Sequence, residues 1–169
     1  MISESGRKGL RTWVEVDTGA ILRNFSAFRK IVPKDTKMMA VVKSNAYGHS
    51  LIDFSKTVEK IGVDSLGVDS VVEAQALRRE GITIPILVFG YTLPELVADA
   101  VKNDIALTVS SFEALHSFLE LKIAGKIKIH IEVDTGMHRQ GFLESEREKL
   151  VASRLVYARI ACTPRLVIC

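Results

Sequence analysis

The sequence predicts an α/β fold of parallel strands joined by helical crossovers, and three observations carry that expectation. From Lys37 onward one grammar repeats: a short run rich in Val, Ile and Ala, a turn, then a segment with helical periodicity. Five strands can be counted this way, whereas a complete β/α barrel takes eight strands in about 250 residues. The chain of 169 residues therefore holds either an open five-stranded sheet or the first part of a barrel. The segment Ile127 to Val133 bears on that choice. It puts Ile127, Ile129, Ile131 and Val133 on one face and Lys128, His130, Glu132 and Asp134 on the other. A parallel sheet covered by helices on both sides needs two apolar faces. A polar face fits a barrel lumen with a site at its C-terminal mouth, and it fits equally an edge strand with one side in water.

The elements follow in order. A first helix is expected from Thr18 to Ile31, with Asp17 as N-cap, Ile21, Leu22, Phe25 and Phe28 on one face, and Pro33 beyond its end. The strands are Met38 to Lys43, Ser65 to Asp69, Ile84 to Phe89, Ile105 to Val109 and Ile127 to Val133, each too short and too β-branched for a buried helix. Three helix starts carry a capping-box pattern: Ser70 with Glu73, Thr92 with Glu95, and Ser110 with Glu113. Gly81 and Gly125 fall where helices should stop.

Composition narrows the function classes. A hydrophobic content of 47% is enough for one packed core, and 23 basic against 20 acidic residues, mixed along the chain, create no field for nucleic acid or an anionic membrane. Residues 1–10 are polar and lack an apolar signal core, and no apolar run approaches the ~20 residues of a membrane span. A cytoplasmic protein is expected. Cys162 and Cys169 stand in no paired spacing, so neither a disulfide scaffold nor a metal site is expected. From Lys149 to Cys169 there are Lys149, Arg154, Arg159 and Arg165 but no acidic residue, and the end Leu166-Val167-Ile168-Cys169 is apolar. The expected division is a flexible segment 1–10, a barrel portion 11–150, and an atypical tail 151–169 of the kind left by truncation or a frameshift.

Two segments carry chemistry. The first is Ala40-Val41-Val42-Lys43-Ser44-Asn45-Ala46-Tyr47-Gly48-His49. Barrel enzymes place catalytic groups at the ends of strands, and a lysine withdrawn from water there becomes a nucleophilic amine able to form a Schiff base. A lone lysine at a strand end is more simply a solvated side chain, Tyr47 a boundary aromatic and His49 a turn histidine. The second segment is Val133-Asp134-Thr135-Gly136-Met137-His138-Arg139-Gln140-Gly141-Phe142, whose Asp-Thr-Gly is by itself only a tight-turn signal.

Taken whole, both strings resemble the signatures of the alanine racemase family, and Trp13-Val14-Glu15-Val16-Asp17 is similar to that family's opening strand and helix cap. The resemblance runs from about Arg11 to Leu150. It implies that Lys43 forms the covalent link to pyridoxal 5'-phosphate and that Tyr47 contacts the cofactor phosphate. Arg139 would bond the cofactor's phenolic oxygen and approach the substrate carboxylate, roles that suit a planar fork which never loses its charge. Two departures stand out. Ser50 replaces the usual glycine, and Glu132 replaces a lysine that many members carry carbamylated. Glu132 is then either a built-in anion for Arg139 or a lumen carboxylate paired with Lys128 or His130.

The resemblance also implies a parallel β/α (TIM-like) barrel, incomplete here, with about five strands present, that relatives pair with a C-terminal β domain in a homodimer. Racemisation needs a base on each face of the substrate. The lysine at the position of Lys43 is one, and the other is a tyrosine of the partner's β domain for which this sequence has no aligned position. The expectation is an alanine racemase segment, acting on L- and D-alanine by family and inactive alone. The other readings are a barrel that binds the cofactor without racemising, whose relatives lack the Ala-Tyr-Gly-His string, and a non-enzymatic half-barrel binding a phosphorylated ligand or a partner.

Overall fold

The structure is a computed structural model, and it describes residues 9–153 and 160–162. The elements are α1 (Thr18–Ile31), β1 (Met39–Val41), the single turn α2 (Lys43–Tyr47), α3 (Leu51–Ile61), β2 (Ser65–Val68), α4 (Val71–Arg79), β3 (Ile86–Val88), α5 (Pro94–Lys102), β4 (Ile105–Val109), α6 (Phe112–Glu120), β5 (Ile127–Ile131), α7 (Arg147–Ala152) and β6 (Ile160–Cys162).

The strands form one parallel sheet in the order β1-β2-β3-β4-β5-β6. That order decides between the two architectures. A doubly wound sheet starts inside and reverses direction at a switch point, whereas here every strand lies beside its predecessor. Right-handed crossovers then put the connecting helices on the same side, as in a barrel wall. β1 pairs only with β2 among the described residues, so the wall is open. Among the described residues it has six strands rather than the five counted from sequence. The three residues of β6 are too short a run to stand out from sequence beside Thr163 and Pro164.

The register shows which face is dry. Leu66, Ile86 and Ile105 align across the sheet, as do Val88, Leu107 and Ile129, and all are buried. They share one core with Val71, Ala74 and Leu77 of α4, Val97 and Ala100 of α5, and Ala114, Leu115 and Phe118 of α6. Each such large side chain contributes about 1.5–3 kcal/mol by leaving water. The opposite face carries Met39, Ser65, Ala106, Thr108 and His130, all partly exposed, and Lys128, which is exposed. The polar face of β5 is thus the concave face of a partial barrel, and the edge-strand reading falls away.

Local signals fared unevenly. Asp17 caps α1 through the Ala20 N–H at 3.1 Å, and Ser70 caps α4 through the Glu73 N–H at 3.3 Å, both as expected. Thr92 caps nothing: α5 starts at Pro94 with Leu93 as N-cap, because proline's fixed φ suits the first helical position. The cap of α6 is Ser111, not its neighbour Ser110, and its hydroxyl accepts from the Ala114 N–H. Gly81 takes a left-handed φ just past α4 as expected, while Gly125 lies in a turn well beyond the end of α6. Among the described residues no helix is long and apolar enough to cross a membrane. Of the expected tail, residues 154–159 and 163–169, Cys169 included, lie outside the described residues, as do residues 1–8 of the expected flexible segment.

Candidate active site

Strands that run parallel end on one rim, and the two chemical segments both leave strands there. Val42, fully buried, follows β1, and Lys43 comes next. Its ammonium lies 3.5 Å from the carboxylate of Asp69, the residue that follows β2, and its side chain is 32% exposed. The sequence expectation of a lysine withdrawn from water is met only in part.

The chain then makes an unusual turn. Ser44, Asn45, Ala46 and Tyr47 all have φ between +52° and +57°, and Gly48 continues at +92°. Each non-glycine residue in this region costs roughly 1–2 kcal/mol, so the surroundings must hold it. They do so through the Ala46 N–H donating to the Val42 carbonyl (2.8 Å), the Leu51 N–H to the Asn45 side-chain oxygen (2.8 Å), and the Ser44 N–H to the Glu73 carboxylate (2.8 Å). Ala46 is buried beneath the turn, and Tyr47 stands 62% exposed. His49 keeps the role of a turn histidine, with Nδ1 2.9 Å from the Ala46 carbonyl and its ring tilted against Phe54. Ser50 has φ +71°, a conformation glycine adopts freely, and its hydroxyl caps α3 and bonds the Asp53 carboxylate at 2.9 Å.

Arg139 sits on the loop that follows β5. The loop is closed at its base by the Phe142 N–H donating to the Glu132 carbonyl (2.8 Å) and the Asp134 N–H to the Phe142 carbonyl (2.9 Å). Gly141 makes this closure possible: its φ is +120°, and a Cβ there would lie 2.6 Å from the Asp134 nitrogen. Inside the loop the Asp134 carboxylate, only 6% exposed, accepts the N–H groups of Gly136 (2.9 Å) and His138 (3.0 Å). Those two donors, with the nearby His138 ring, hold its carboxyl below the usual carboxylate range. Arg139 itself is exposed and makes no ion pair among the described residues. Its guanidinium is thus available to an anion.

Glu132 departs from the expected pairings with Arg139 and with Lys128. Its carboxylate accepts from the Gln140 side-chain amide at 2.8 Å rather than pairing with Arg139, and Lys128 pairs with Asp104 instead. A glutamate arm reaches the near side of the loop, where Gln140 lies. Sequence reasoning read Asp134 only as a turn residue, and it passed over Asp69 and the contacts of Glu73. The only signal available was the Ser70 to Glu73 box, and its carboxylate goes elsewhere. A cavity of about 540 Å³ lies between α1, β1 and α3, lined by Phe25, Phe28, Met39 and Tyr47 among others; Lys43 does not line it.

Comparison with known proteins supplies the context. Residues 8–160 match the family described as alanine racemase, N-terminal domain. The chain is 47% identical over 133 residues to the alanine racemase of Methanococcus maripaludis, covering 78% of this chain and 36% of that protein. It is 42% identical over 143 residues to that of Geobacillus kaustophilus, covering 84% and 37%. The crystal structure of alanine racemase from Bacillus anthracis with bound L-Ala-P superposes with a TM-score of 0.83 at 38% identity, covering 90% of this chain and 40% of that one. The chain spans about a third of the length of the curated relatives it matches.

Proposed function

This chain belongs to the alanine racemase family, and we propose that it forms the cofactor-holding part of a pyridoxal-phosphate-dependent alanine racemase. One observation carries the reading: Lys43, Tyr47 and Arg139 stand partly or fully exposed on the same rim of a partial barrel, each on a segment whose backbone is tightly held. The donor set fits the group. An amine can link to an aldehyde, a phenol can bond a phosphate, and a guanidinium with no ion-pair partner among the described residues can meet an oxyanion or a carboxylate. When bound, pyridoxal phosphate supplies an electron sink for the charge left on a substrate α-carbon that loses its proton.

The chain's own residues do the rest. Lys43 holds the cofactor and takes or returns the proton on one face of the α-carbon. Tyr47 anchors the phosphate end. Arg139 orients the carboxylate of the amino acid, which we take to be alanine. Racemisation also requires a base on the opposite face, and no described residue is assigned to it. We therefore propose a cytoplasmic homodimer in which a further domain of a partner provides that base, and a 169-residue chain that yields no D-alanine by itself.

The test is reduction of the cofactor-treated chain with borohydride, followed by peptide mass mapping and chiral analysis of an incubation with L-alanine in deuterium oxide. A single label on Lys43, absent from Lys43→Ala, is expected, with no D-alanine above that control. Label spread over many lysines would refute the cofactor assignment, and D-alanine above the control would refute the missing-base argument.

A further inference from the structure

We propose that Glu73 is a positioning residue for Lys43, a carboxylate clamp that ties the exit of β1 to the exit of β2; this rests on the reading of Lys43 as the cofactor lysine. Glu73 is the third residue of α4, where a capping box would send its carboxylate back to the N–H of Ser70. It does something else. One oxygen accepts the Ser44 N–H and the other the Asp69 N–H, both at 2.8 Å. The first N–H belongs to the peptide that joins Lys43 to Ser44. The second belongs to the residue whose own carboxylate lies 3.5 Å from the Lys43 ammonium.

Both bonds therefore act on the lysine, one through its backbone and one through its neighbour. Ser44 and Glu73 are 29 positions apart, so this is a tertiary contact rather than a local cap. The Ser44 bond also opens the run of left-handed residues, which has to be held from outside because each member is unfavourable alone. A carboxylate suits the task. Bonds to an ionised acceptor are about twice as strong as neutral ones, and the first turn of α4 favours a negative charge. Released from Glu73, the Lys43–Ser44 peptide is free to leave the turn, and the amine loses its aim along the rim.

A matched control exists at the other end of the sheet. Glu59 of α3 accepts the N–H groups of Thr83 (2.8 Å) and Ile84 (3.2 Å) ahead of β3, so it also satisfies two backbone donors, away from Lys43. In Glu73→Gln one of two acceptor oxygens becomes a donor facing an N–H, whereas Glu59 accepts through a single oxygen, so Glu59→Gln keeps the acceptor and removes only the charge that strengthens its bonds. Both variants should lose stability. Only one should disturb the lysine.

The experiment compares the wild-type chain with Glu73→Gln, Glu73→Asp and Glu59→Gln by amide hydrogen exchange without cofactor, and by borohydride trapping of pyridoxal phosphate at Lys43. Glu73→Gln should speed exchange at Ser44 and Asp69 about tenfold or more, the loss of a charge-assisted bond, and should slow labelling of Lys43 to a similar degree. Glu73→Asp keeps the charge but is too short to span both donors, and should fall between. Glu59→Gln should speed exchange at Thr83 and Ile84 while Lys43 labels within about twofold of wild type. Equal labelling loss in Glu73→Gln and Glu59→Gln at equal loss of stability would reduce Glu73 to a structural residue and overturn the proposal. Should Glu73→Gln not fold, the wild-type chain still decides: a Ser44 amide that exchanges at its unprotected rate refutes the clamp, and slowed exchange supports it. If wild type takes no label at Lys43, the cofactor reading fails, and Ser44 exchange still reports separately whether Glu73 holds the turn.

Discussion

Ser50→Gly should stabilise the protein, although glycine usually weakens a folded chain. Ser50 sits at φ +71° and ψ +112°, outside the basins open to residues with a Cβ. Strain of this kind costs about 1–3 kcal/mol. Glycine removes it, loses about 0.5–1 kcal/mol in added freedom of the unfolded chain, and gives up only a few tenths as an N-cap. The balance is a gain of about 1 kcal/mol, or roughly 2–4 °C in Tm for a chain of this size. Ser50→Ala separates the two effects. It keeps the strain and removes the hydroxyl that accepts the Asp53 N–H and donates to the Asp53 carboxylate, so it should lose about 1 kcal/mol. Thermal and urea unfolding of the three proteins, followed by circular dichroism, gives the comparison. A Ser50→Gly protein no more stable than wild type would show that the surroundings, rather than the backbone, set the cost at this position.

Gly90→Ala tests crowding without strain. A Cβ at Gly90 would clash with the Asp69 carbonyl oxygen, so the strand end beside Lys43 must shift, and a loss of about 1–3 kcal/mol is expected in urea unfolding, with a weaker cofactor label; a variant within about 0.5 kcal/mol of wild type would contradict the packing described. His130 gives a pH dependence. Burial disfavours its charged form and lowers its pKa below 6.5, so the unfolded chain protonates first as pH falls. Stability from this group is complete above about pH 6.5 and declines as pH drops through the lower folded value. His130→Gln should flatten that part of the urea-midpoint profile between about pH 7.5 and 5.5, and an unchanged slope would assign it to other groups.

Much of the fold could be read from sequence because it rests on periodicity. The helix Thr18–Ile31 and its Asp17 cap agree to the residue, and Ile105–Val109 agrees at both ends. Strand ends were placed too far out where an apolar residue continues past the ladder, as Val133 does in bridging Phe142. Cap assignment failed where two hydroxyls compete, at Ser110 and Ser111, or where proline sets the start, at Pro94. The strings around Lys43 and Arg139 lie on segments that follow β1 and β5 at one rim of the sheet. What they could not show were the partners, since Glu73 meets Ser44 and Glu132 meets Gln140 through side-chain reach that no local pattern encodes.

The distribution of strain strengthens the case for the rim as the working end. The four consecutive left-handed residues from Ser44 to Tyr47 together cost on the order of 4–8 kcal/mol, which is comparable with the whole net stability of a typical domain. Ordinary strand-to-helix connections need nothing of the kind: the β2 to α4 link passes through extended Ser70, and the β4 to α6 link through extended Ser111. A segment so unfavourable survives because Val42, Asn45, buried Ala46 and Glu73 each fix part of it. What the turn achieves is a tyrosine and a lysine leaving one strand end within a single left-handed turn, both open to solvent, on a backbone that cannot drift. A loop built only to connect β1 with α3 would have relaxed at little cost. Strain held in place by so many contacts marks the segment from Lys43 to Tyr47 as the candidate working part of the rim.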